Sequence, residues 1–381
     1  CSGGTTTRCA ADGHWTLDLR KNYRQIHYDS DSNEVEVGGG ITMSMLIKEL
    51  SRNNRSFPIG LSGLTGIGYI LTGGISPISR GHGLAIDHIL KLKGFWGSGE
   101  PFEINRPSSI SNENEKTNWS GLCGAAPFLG IITAIKLRTQ KANKLYIREV
   151  ILNKDQLIYY IKKAEEWPSN ISLSWIWGDE IKAFIAIELI NKSKPKEINN
   201  MLEKPPLSIK YKDFCIDNIN DLPPFSLPLN KDELNINNHS EVLGVLGKEW
   251  GDNCQDLVNR LESFMISRPN KYCYIAAQQL GGKTTIEEGN YSSFIHRNSI
   301  WKPWINASWI AGNIQAREVS LSWLKSVWDG LETQCPGVHI AQLHQHLPWH
   351  QKEIEKAFGN HLSTLKKLKL KKDPYKSLPI L

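Results

Sequence analysis

The sequence predicts an α+β protein of two domains, and three observations carry that prediction. The chain has 381 residues, more than one hydrophobic core usually serves. Strand-like alternation and helical periodicity are interspersed along its length. The glycine-rich, β-branched character of the first 142 residues changes near residue 143.

Taken in order, residues 14–19 (HWTLDL) alternate like a strand. Residues 26–28 and 34–37 (EVEV) read as a strand pair around the polar turn 29–33. Over residues 42–52, Met43, Leu46, Ile47 and Leu50 fall on one helical face, with Thr42 or Ser44 placed to cap it. Residues 130–137 (GIITAIKL) form a further strand. Beyond 143, stretches 145–152 and 181–190 are strand-like, and 154–167 is helical. The Pro- and Asn-rich stretch 192–240 reads as long loops with short elements. Residues 272–279 and 308–314 are strands, and 319–331 is a helix with Trp323, Val327 and Leu331 on one face. A final helix spans 352–370, interrupted near Gly359. The expected organisation is a first domain over 1–142, a second over 143–345, and a segment 346–381 that returns to the first.

Composition narrows the function classes. About 40% of residues are apolar and 22% charged, as in soluble globular proteins. No apolar run approaches the roughly 20 residues of a membrane helix, so no membrane span is expected. Net charge is +6, with lysines gathered at 366, 367, 369, 371, 372 and 376. Nucleic acid binding wants a broader basic face interleaved with aromatics, so no nucleic acid partner is expected. The tail reads as a solvated helix face and linker, or as a contact for an anionic partner or cofactor phosphate. Seven dispersed cysteines include no CxxC pair, which fits reduced thiols and a cytoplasmic location. Sequons such as those at Asn170 and Asn306 are expected by chance in a chain this rich in asparagine. The chain opens on Cys1, so upstream sequence, including any targeting segment, is expected to lie outside it.

Three segments carry the chemistry. Residues 57–84 (FPIGLSGLTGIGYILTGGISPISRGHGL) hold eight glycines, enough for backbone N–H groups to converge on an anion. The other reading of that segment is an irregular structural loop. No Gly-Lys-Ser/Thr follows, which excludes a Walker loop. Gly66, Gly68 and Gly73 have no acidic residue on a following strand in the expected place, which disfavours a Rossmann site. Ser2, Gly3, Gly4, Thr5, Thr6 and Thr7 offer hydroxyl and backbone donors to a phosphate. In 121–133 (GLCGAAPFLGIIT), Gly121, Gly124, Ala125 and Ala126 leave room for a flat ligand at a strand end.

In this order the segments resemble the FAD-linked oxidases with a PCMH-type (vanillyl-alcohol-oxidase-like) FAD-binding domain, in their berberine-bridge-enzyme-like branch. SGGTTT resembles that family's SGGH loop, and VGGGITMSMLIKEL its strand-helix. The run GLSGLTGIGYILTGG followed by ISRGHGLAIDHIL is similar to its second phosphate loop and the stretch after it. LCGAAPFLGIIT matches its "FGVVT" strand, FIHRN a substrate-domain motif, and DPYKSL its terminal "DPxNxF". The resemblance covers nearly the whole chain. It implies a two-lobed FAD-binding domain plus a substrate domain with an antiparallel sheet flanked by helices. It implies that Ser2–Thr7 and Ser62, Gly63, Leu64, Gly66, Ile67 and Gly68 hold the pyrophosphate. Thr72, Gly73 and Gly74 would lie beside the flavin and ribityl chain, and Gly130, Ile131 and Ile132 would meet the cofactor by main chain.

The departures from the family pattern shape the expected chemistry. Thr5 replaces the histidine, and Ser62 the cysteine, that relatives link covalently to flavin. FAD is therefore expected to be non-covalent. The family's Tyr-x-Asn pattern becomes His339 and Ala341, and the asparagine of the terminal motif becomes Lys376. His339 is the expected catalytic base, and an inward-pointing Lys376 would stabilise reduced flavin. His339, His344, His346 and His350 form a cluster that is structural, catalytic or metal-binding. His344 and His346 share a face if the stretch is a strand, with no carboxylate beside them. His296 and Arg297 either orient an anionic or hydroxylated substrate or form a surface or inter-domain pair. Trp301, Trp304 and Trp309 line a channel or pack the core. The expected function is oxidation of a C–H beside a hydroxyl or amine of a small organic substrate, with oxygen or another electron acceptor re-oxidising FAD. Its rivals are a flavin-binding sensor or interaction module without turnover, and a use of the fold with NADPH.

Overall fold

The computed structural model describes residues 13, 15–190, 210–217, 219, 238–286 and 291–381. Two compact units emerge. Unit 1 comprises Cys1–Ala142, Lys283–Arg297 and Gly337–Leu381, and unit 2 comprises Asn143–Gly282 and Asn298–Pro336. The expected span 143–345 is thus interrupted, because 283–297 and 337–345 group with unit 1. The physical reason is a set of bonds such as Ser293 N–H to the Cys123 carbonyl (2.7 Å) and the Arg297–Asp87 ion pair.

Unit 1 begins with a correction. Residues 15–18 have no regular structure and Leu19 opens a turn. The apolar side of the expected strand has nothing to pack on, since Trp15 and Leu17 are both exposed. Strands β1 (Ile26–Asp29) and β2 (Glu34–Gly38) pair antiparallel as expected. Asp29 holds their turn by accepting from Ser32 Oγ at 2.7 Å, and Asn33 takes φ +56. Helix α1 (Met43–Arg52) buries Met43, Leu46, Ile47 and Leu50, and Thr42 Oγ1 caps it by accepting from Met45 N–H. Strands β3 (Ile89–Trp96) and β4 (Pro101–Asn105), helix α2 (Glu113–Leu129) and strand β5 (Gly130–Arg138) follow. The antiparallel sheet order is β1-β2-β5-β3-β4.

Unit 2 is an antiparallel sheet backed by helices. Its elements are β6 (Leu145–Leu152), α3 (Lys154–Glu166), β7 (Ile171–Trp177), β8 (Ile181–Glu188) and β9 (Tyr211–Ile216). Then come β10 (Asn238–Leu246), α4 (Cys254–Ile266), β11 (Tyr274–Gln279), β12 (Trp301–Ile310) and α5 (Ile314–Leu331). The order across the sheet is β9-β6-β8-β7-β11-β12-β10. Two expectations change here. The 192–240 loop contains strand β9, and residues 308–314 are the end of β12 plus the start of α5. Strand β12 carries Pro303 and is buried along nearly all its length, so it lacks the alternation that marks a one-faced strand.

Helices α3 and α5 pack on one face of this sheet. Trp301 points to that face, where its Nε1 donates to Glu165 of α3 at 2.7 Å. Trp309 stacks on His239, ring centroids 5.4 Å apart. These two tryptophans pack the core.

The chain returns to unit 1 with α6 (His350–Phe358) and α7 (Leu362–Lys372), broken at Gly359 as the sequence predicts. Helix α7 packs on α2, and a Cβ on Gly121 would lie 2.5 Å from Leu368 Cδ2. Gly121 is therefore small to admit a helix neighbour, which corrects the expectation that it makes room for a ligand.

Local capping is testable in α3. Asn153 accepts from Gln156 N–H and the Gln156 side chain accepts from Asn153 N–H, both near 2.9 Å. Asn153→Ala should lower stability by about 1 kcal/mol, read as a shift of the urea midpoint at constant m-value.

Candidate functional site

The glycine-rich loop is stapled to the first turn of α1. Met43 N–H donates to Thr65 O at 2.8 Å and Ser44 N–H to Gly63 O at 2.9 Å. Ser62 is exposed, and its Oγ accepts from Leu64 N–H at 3.3 Å. Ile67 is buried and anchors the loop, while Leu64 is exposed. Among the described residues, the N–H groups of Gly66 and Gly68 have no hydrogen-bond partner. A Cβ on Gly68 would meet nothing within 4 Å, and one on Gly66 only Ile41 O at 3.4 Å. Neither glycine has a positive φ. Neither backbone strain nor a protein contact under 3.4 Å therefore demands glycine at these two positions, and both leave open space beside backbone donors. That is a fit for an anionic group lying on the loop.

Gly73 and Gly74 differ. Their φ values are +114 and +69, a region L side chains rarely adopt. A Cβ on Gly74 would lie 2.4 Å from that of Ala85. Their carbonyls accept from Ile86 and Ala85 N–H. Thr72 turns its hydroxyl back to Gly68 O at 2.8 Å.

Beside Gly73 lie two side chains from distant sequence. Phe294 and His339 are both buried, with ring centroids 6.0 Å apart in an edge-on arrangement. A Cβ on Gly73 would be 3.0 Å from the Phe294 ring and 3.6 Å from His339 Nε2. Phe294 is held by a break in α2. Gly124 takes φ +122, Cys123 and Ala125 leave helical geometry, and Ser293 fills the gap. Ser293 N–H donates to Cys123 O, and its Oγ to Ser120 O, each at 2.7 Å. Gly130 is buried and starts β5 opposite Trp96, with Ile131 and Ile132 continuing it.

The remaining expected site residues fall as follows. Ser2, Gly3, Gly4, Thr5, Thr6 and Thr7 lie outside the described residues. Arg297 is buried and bonds Asp87 at 2.8–2.9 Å and Ser292 at 3.0 Å. His296 Nε2 lies 2.6 Å from Lys356 O. Both fasten 291–297 to the rest of unit 1, a within-domain role that neither expected reading gave them. Lys376 is exposed in the closing turn at φ +55, so it does not take the inward position expected of it. Arg80, which sequence reasoning passed over, is buried in the ISRGHGL stretch, and burial pulls its pKa down to about 10.

The histidine cluster is also corrected. His344 and His346 lie outside any strand, and a carboxylate does accompany His344. Glu353 of α6 sits 2.6 Å from His344 Nδ1, accepts from its N–H at 2.8 Å, and lies 3.5 Å from His350 Nδ1. Burial alone would raise the Glu353 pKa. Hydrogen bonds from His344 and His350 outweigh it and hold the carboxyl below its ordinary value. Among the described residues no group of three or more His, Cys, Asp or Glu could hold a metal ion.

Comparison with known proteins bears on the cofactor domain and the fold. A family model for the FAD binding domain (FAD_binding_4) matches residues 1–105. An FAD-linked oxidoreductase of Hypoxylon pulicicidum is 30% identical over 141 residues, covering 36% of this chain and 30% of that protein. Another, of Dictyostelium discoideum, is 25% identical over 92% of this chain and 75% of its own length. The structure of Physcomitrella patens BBE-like 1 superposes with a TM-score of 0.77 at 19% identity, over 94% of this chain and 78% of that one. The chain thus carries an FAD-binding domain over its first 105 residues and is similar to berberine-bridge-enzyme-like FAD-linked oxidoreductases. Its architecture is the PCMH-type α+β fold of those structures, with an FAD-binding domain matched within unit 1. The match spans less than a third of the Hypoxylon protein's length.

The His344–Glu353 pair sets an acid limit. A depressed folded pKa means that the carboxylate's stabilisation is complete above the unfolded value of about 4.3 and is lost as pH falls through the folded one. Urea midpoints of the wild type should fall steeply below about pH 4.3. Glu353→Gln should cost about 3–5 kcal/mol at pH 7 and remove this part of the acid dependence.

Proposed function

We propose that this protein is an FAD-dependent oxidoreductase that holds FAD without a covalent bond and oxidises a C–H beside a hydroxyl or amine of a small organic substrate. The observation that carries the reading is the loop surface at Gly66 and Gly68, where unpartnered N–H groups border space that no protein atom fills. Ser62, Gly63, Leu64, Gly66, Ile67 and Gly68 would hold the pyrophosphate, together with Ser2–Thr7. Thr72–Gly74 and Gly130–Ile132 would lie along the remainder of the cofactor. Ser62 and Thr5 carry no thiol or imidazole to join to flavin. When bound, the flavin supplies the hydride acceptor, with oxygen or another carrier as final acceptor.

His339 supplies the base. It is a buried imidazole beside Gly73, where its Nε2 is placed to take a proton from a substrate hydroxyl or amine. The Phe294 ring and the Gly73 backbone border the imidazole. Exposed Lys376 would need the closing turn to move before it acted on the cofactor. The replacement of Tyr-x-Asn by His339 and Ala341 favours a second reading, a flavoprotein that binds without turnover.

The purified protein should be yellow, and acid denaturation should release the colour into solution. A colourless protein that FAD does not reconstitute excludes both readings. Under anaerobic conditions a panel of alcohols, amines and sugars should include one that bleaches it, and no bleaching by any of them favours the second reading. His339→Ala should keep the colour and slow bleaching by about a hundredfold or more, and an unchanged rate removes His339 from the mechanism.

Gly68→Ala should leave the thermal midpoint unchanged yet weaken FAD retention at least tenfold on dilution, because its Cβ meets only the cofactor. Gly74→Ala should fail at folding instead, since its Cβ would overlap Ala85. Equal FAD retention in Gly68→Ala and wild type would remove the pyrophosphate from this loop.

A further inference from the structure

The exposed face of α7 and the turn after it form a basic and apolar patch on unit 1 that the reading above does not use. At about 3.6 residues per turn, Lys366, Lys367, Leu370 and Lys371 fall within one arc of about 140° of the helix. All four are exposed. The opposite arc holds Leu362, Leu365 and Leu368, which are buried. The chain then adds Tyr375, Lys376 and Ile380, also exposed. Leu370, Tyr375 and Ile380 keep 72%, 78% and 68% of their surface open.

From Leu362 to Leu381 the sequence has one acidic residue, Asp373, and it is buried. Its carboxylate accepts from Lys369 Nζ at 2.7 Å and from the N–H groups of Ser377 and Leu378 at 2.7 and 3.2 Å. Lys369 Nζ also donates to Phe128 O of α2 at 2.9 Å. These bonds fix the turn that carries Tyr375 and Lys376 to the end of the helix. Lys366, Lys367, Lys371 and Lys376 have no ion pair among the described residues. The charge of Glu100 acts on Lys372, which lies outside the exposed arc with its Nζ 4.3 Å from the Trp96 ring centroid.

Lys367 and Lys371 stand four positions apart on one face, an unfavourable like-charge spacing in solution. A solvated helix face accounts for lysines but not for Leu370, Tyr375 and Ile380 beside them. A nucleic acid or heparin chain would meet the charges and leave the aliphatic side chains in water. The patch also has no arginine, whose planar fork suits phosphodiester contacts. An anionic bilayer surface serves both kinds of group. Its headgroups take the ammonium charges, and its interfacial layer takes apolar side chains and a tyrosine ring.

We propose that this face of α7 and its turn bind reversibly to the surface of a membrane rich in anionic phospholipids, lying on the bilayer without crossing it. Each lysine near such a surface strengthens binding about fivefold, and the three apolar side chains anchor the contact. Among the described residues no helix is long and apolar enough to cross a membrane, and this mode needs none. The contact is independent of bound FAD.

Binding is read by co-sedimentation of the purified protein with phosphatidylcholine vesicles, with and without phosphatidylserine at about a third of the lipid. The mixed vesicles should bind at least tenfold more tightly than phosphatidylcholine alone. Raising salt from about 0.1 to about 0.5 M should weaken that binding tenfold or more, because the Debye length falls about twofold. Lys366→Gln, Lys367→Gln and Lys371→Gln combined should weaken it at least tenfold with an unchanged thermal midpoint. Leu370→Ser with Ile380→Ser should weaken it severalfold and keep the same salt dependence. Equal binding to both vesicle types, no binding to either, or wild-type affinity in the triple Gln variant each overturns the proposal. An unaffected Leu370→Ser, Ile380→Ser protein also overturns it and, with tight binding of heparin, makes the patch a polyanion site. The vesicle and salt series on the wild type decides the matter if a variant does not fold. Release of yellow colour on acid denaturation is scored separately, so loss of the flavin reading leaves this result standing.

Discussion

The break in α2 is the constraint on which the candidate site of unit 1 depends. A straight helix could not have satisfied the Cys123 carbonyl, because its i+4 partner is Pro127, which has no N–H. Gly124 at φ +122 gives the helix its bend, and the Cys123 carbonyl must find a donor elsewhere, because a buried unpaired acceptor is expensive. Ser293 provides it from a segment about 170 residues away in sequence. Once Ser293 is fixed, Phe294 has one place to go, against Gly73 and His339. Arg297 locks the far end of the segment onto Asp87. Three remote stretches thus meet where Gly124 and Pro127 break one helix.

This view separates two kinds of glycine that the sequence shows alike. Gly73, Gly74, Gly121 and Gly124 answer to the protein itself, through positive φ or a neighbour that a Cβ would strike. Gly66 and Gly68 answer to neither. Counting glycines in a motif cannot make that division. Within the motif, the second kind marks where the backbone is left open to something else.

Local periodicity made much of the fold legible. Helix α1, its Thr42 cap, the β1–β2 turn, and strands β6 and β8 follow from spacing that depends only on near neighbours. Strand β12 was not legible, because burial on both faces erases alternation and Pro303 argues against a strand. Residues 15–19 failed in the opposite sense, since alternation without a partner surface makes no strand. The order of motifs indicated the cofactor domain, but not that 283–297 belongs to it, because that membership is fixed by contacts distant in sequence. The carboxylate beside His344 was hidden for a related reason. Glu353 lies nine positions on, in the next helix, and only the turn between them brings the groups together.

Two buried cations on opposite faces of the unit 2 sheet show how differently one sheet treats charge. Arg148 on β6 is buried, yet its guanidinium takes a bidentate pair with Asp213 on β9 at 2.8 Å and lies 4.9 Å from the Tyr211 ring centroid. Burial works to lower its pKa, and the carboxylate more than reverses the effect. That charge is compensated within the chain, as a structural cation must be. Lys302 has the aromatic ring without the carboxylate, and its pKa falls. Core packing does not call for a lysine there, since the positions in line with it are a glutamine and a serine, and a leucine would remove the desolvation cost. In a lone strand sequence a single lysine reads as a solvated position. Only the register of β7, β11 and β12 places it beside Gln278 and Ser174, on the face of the sheet away from α3 and α5.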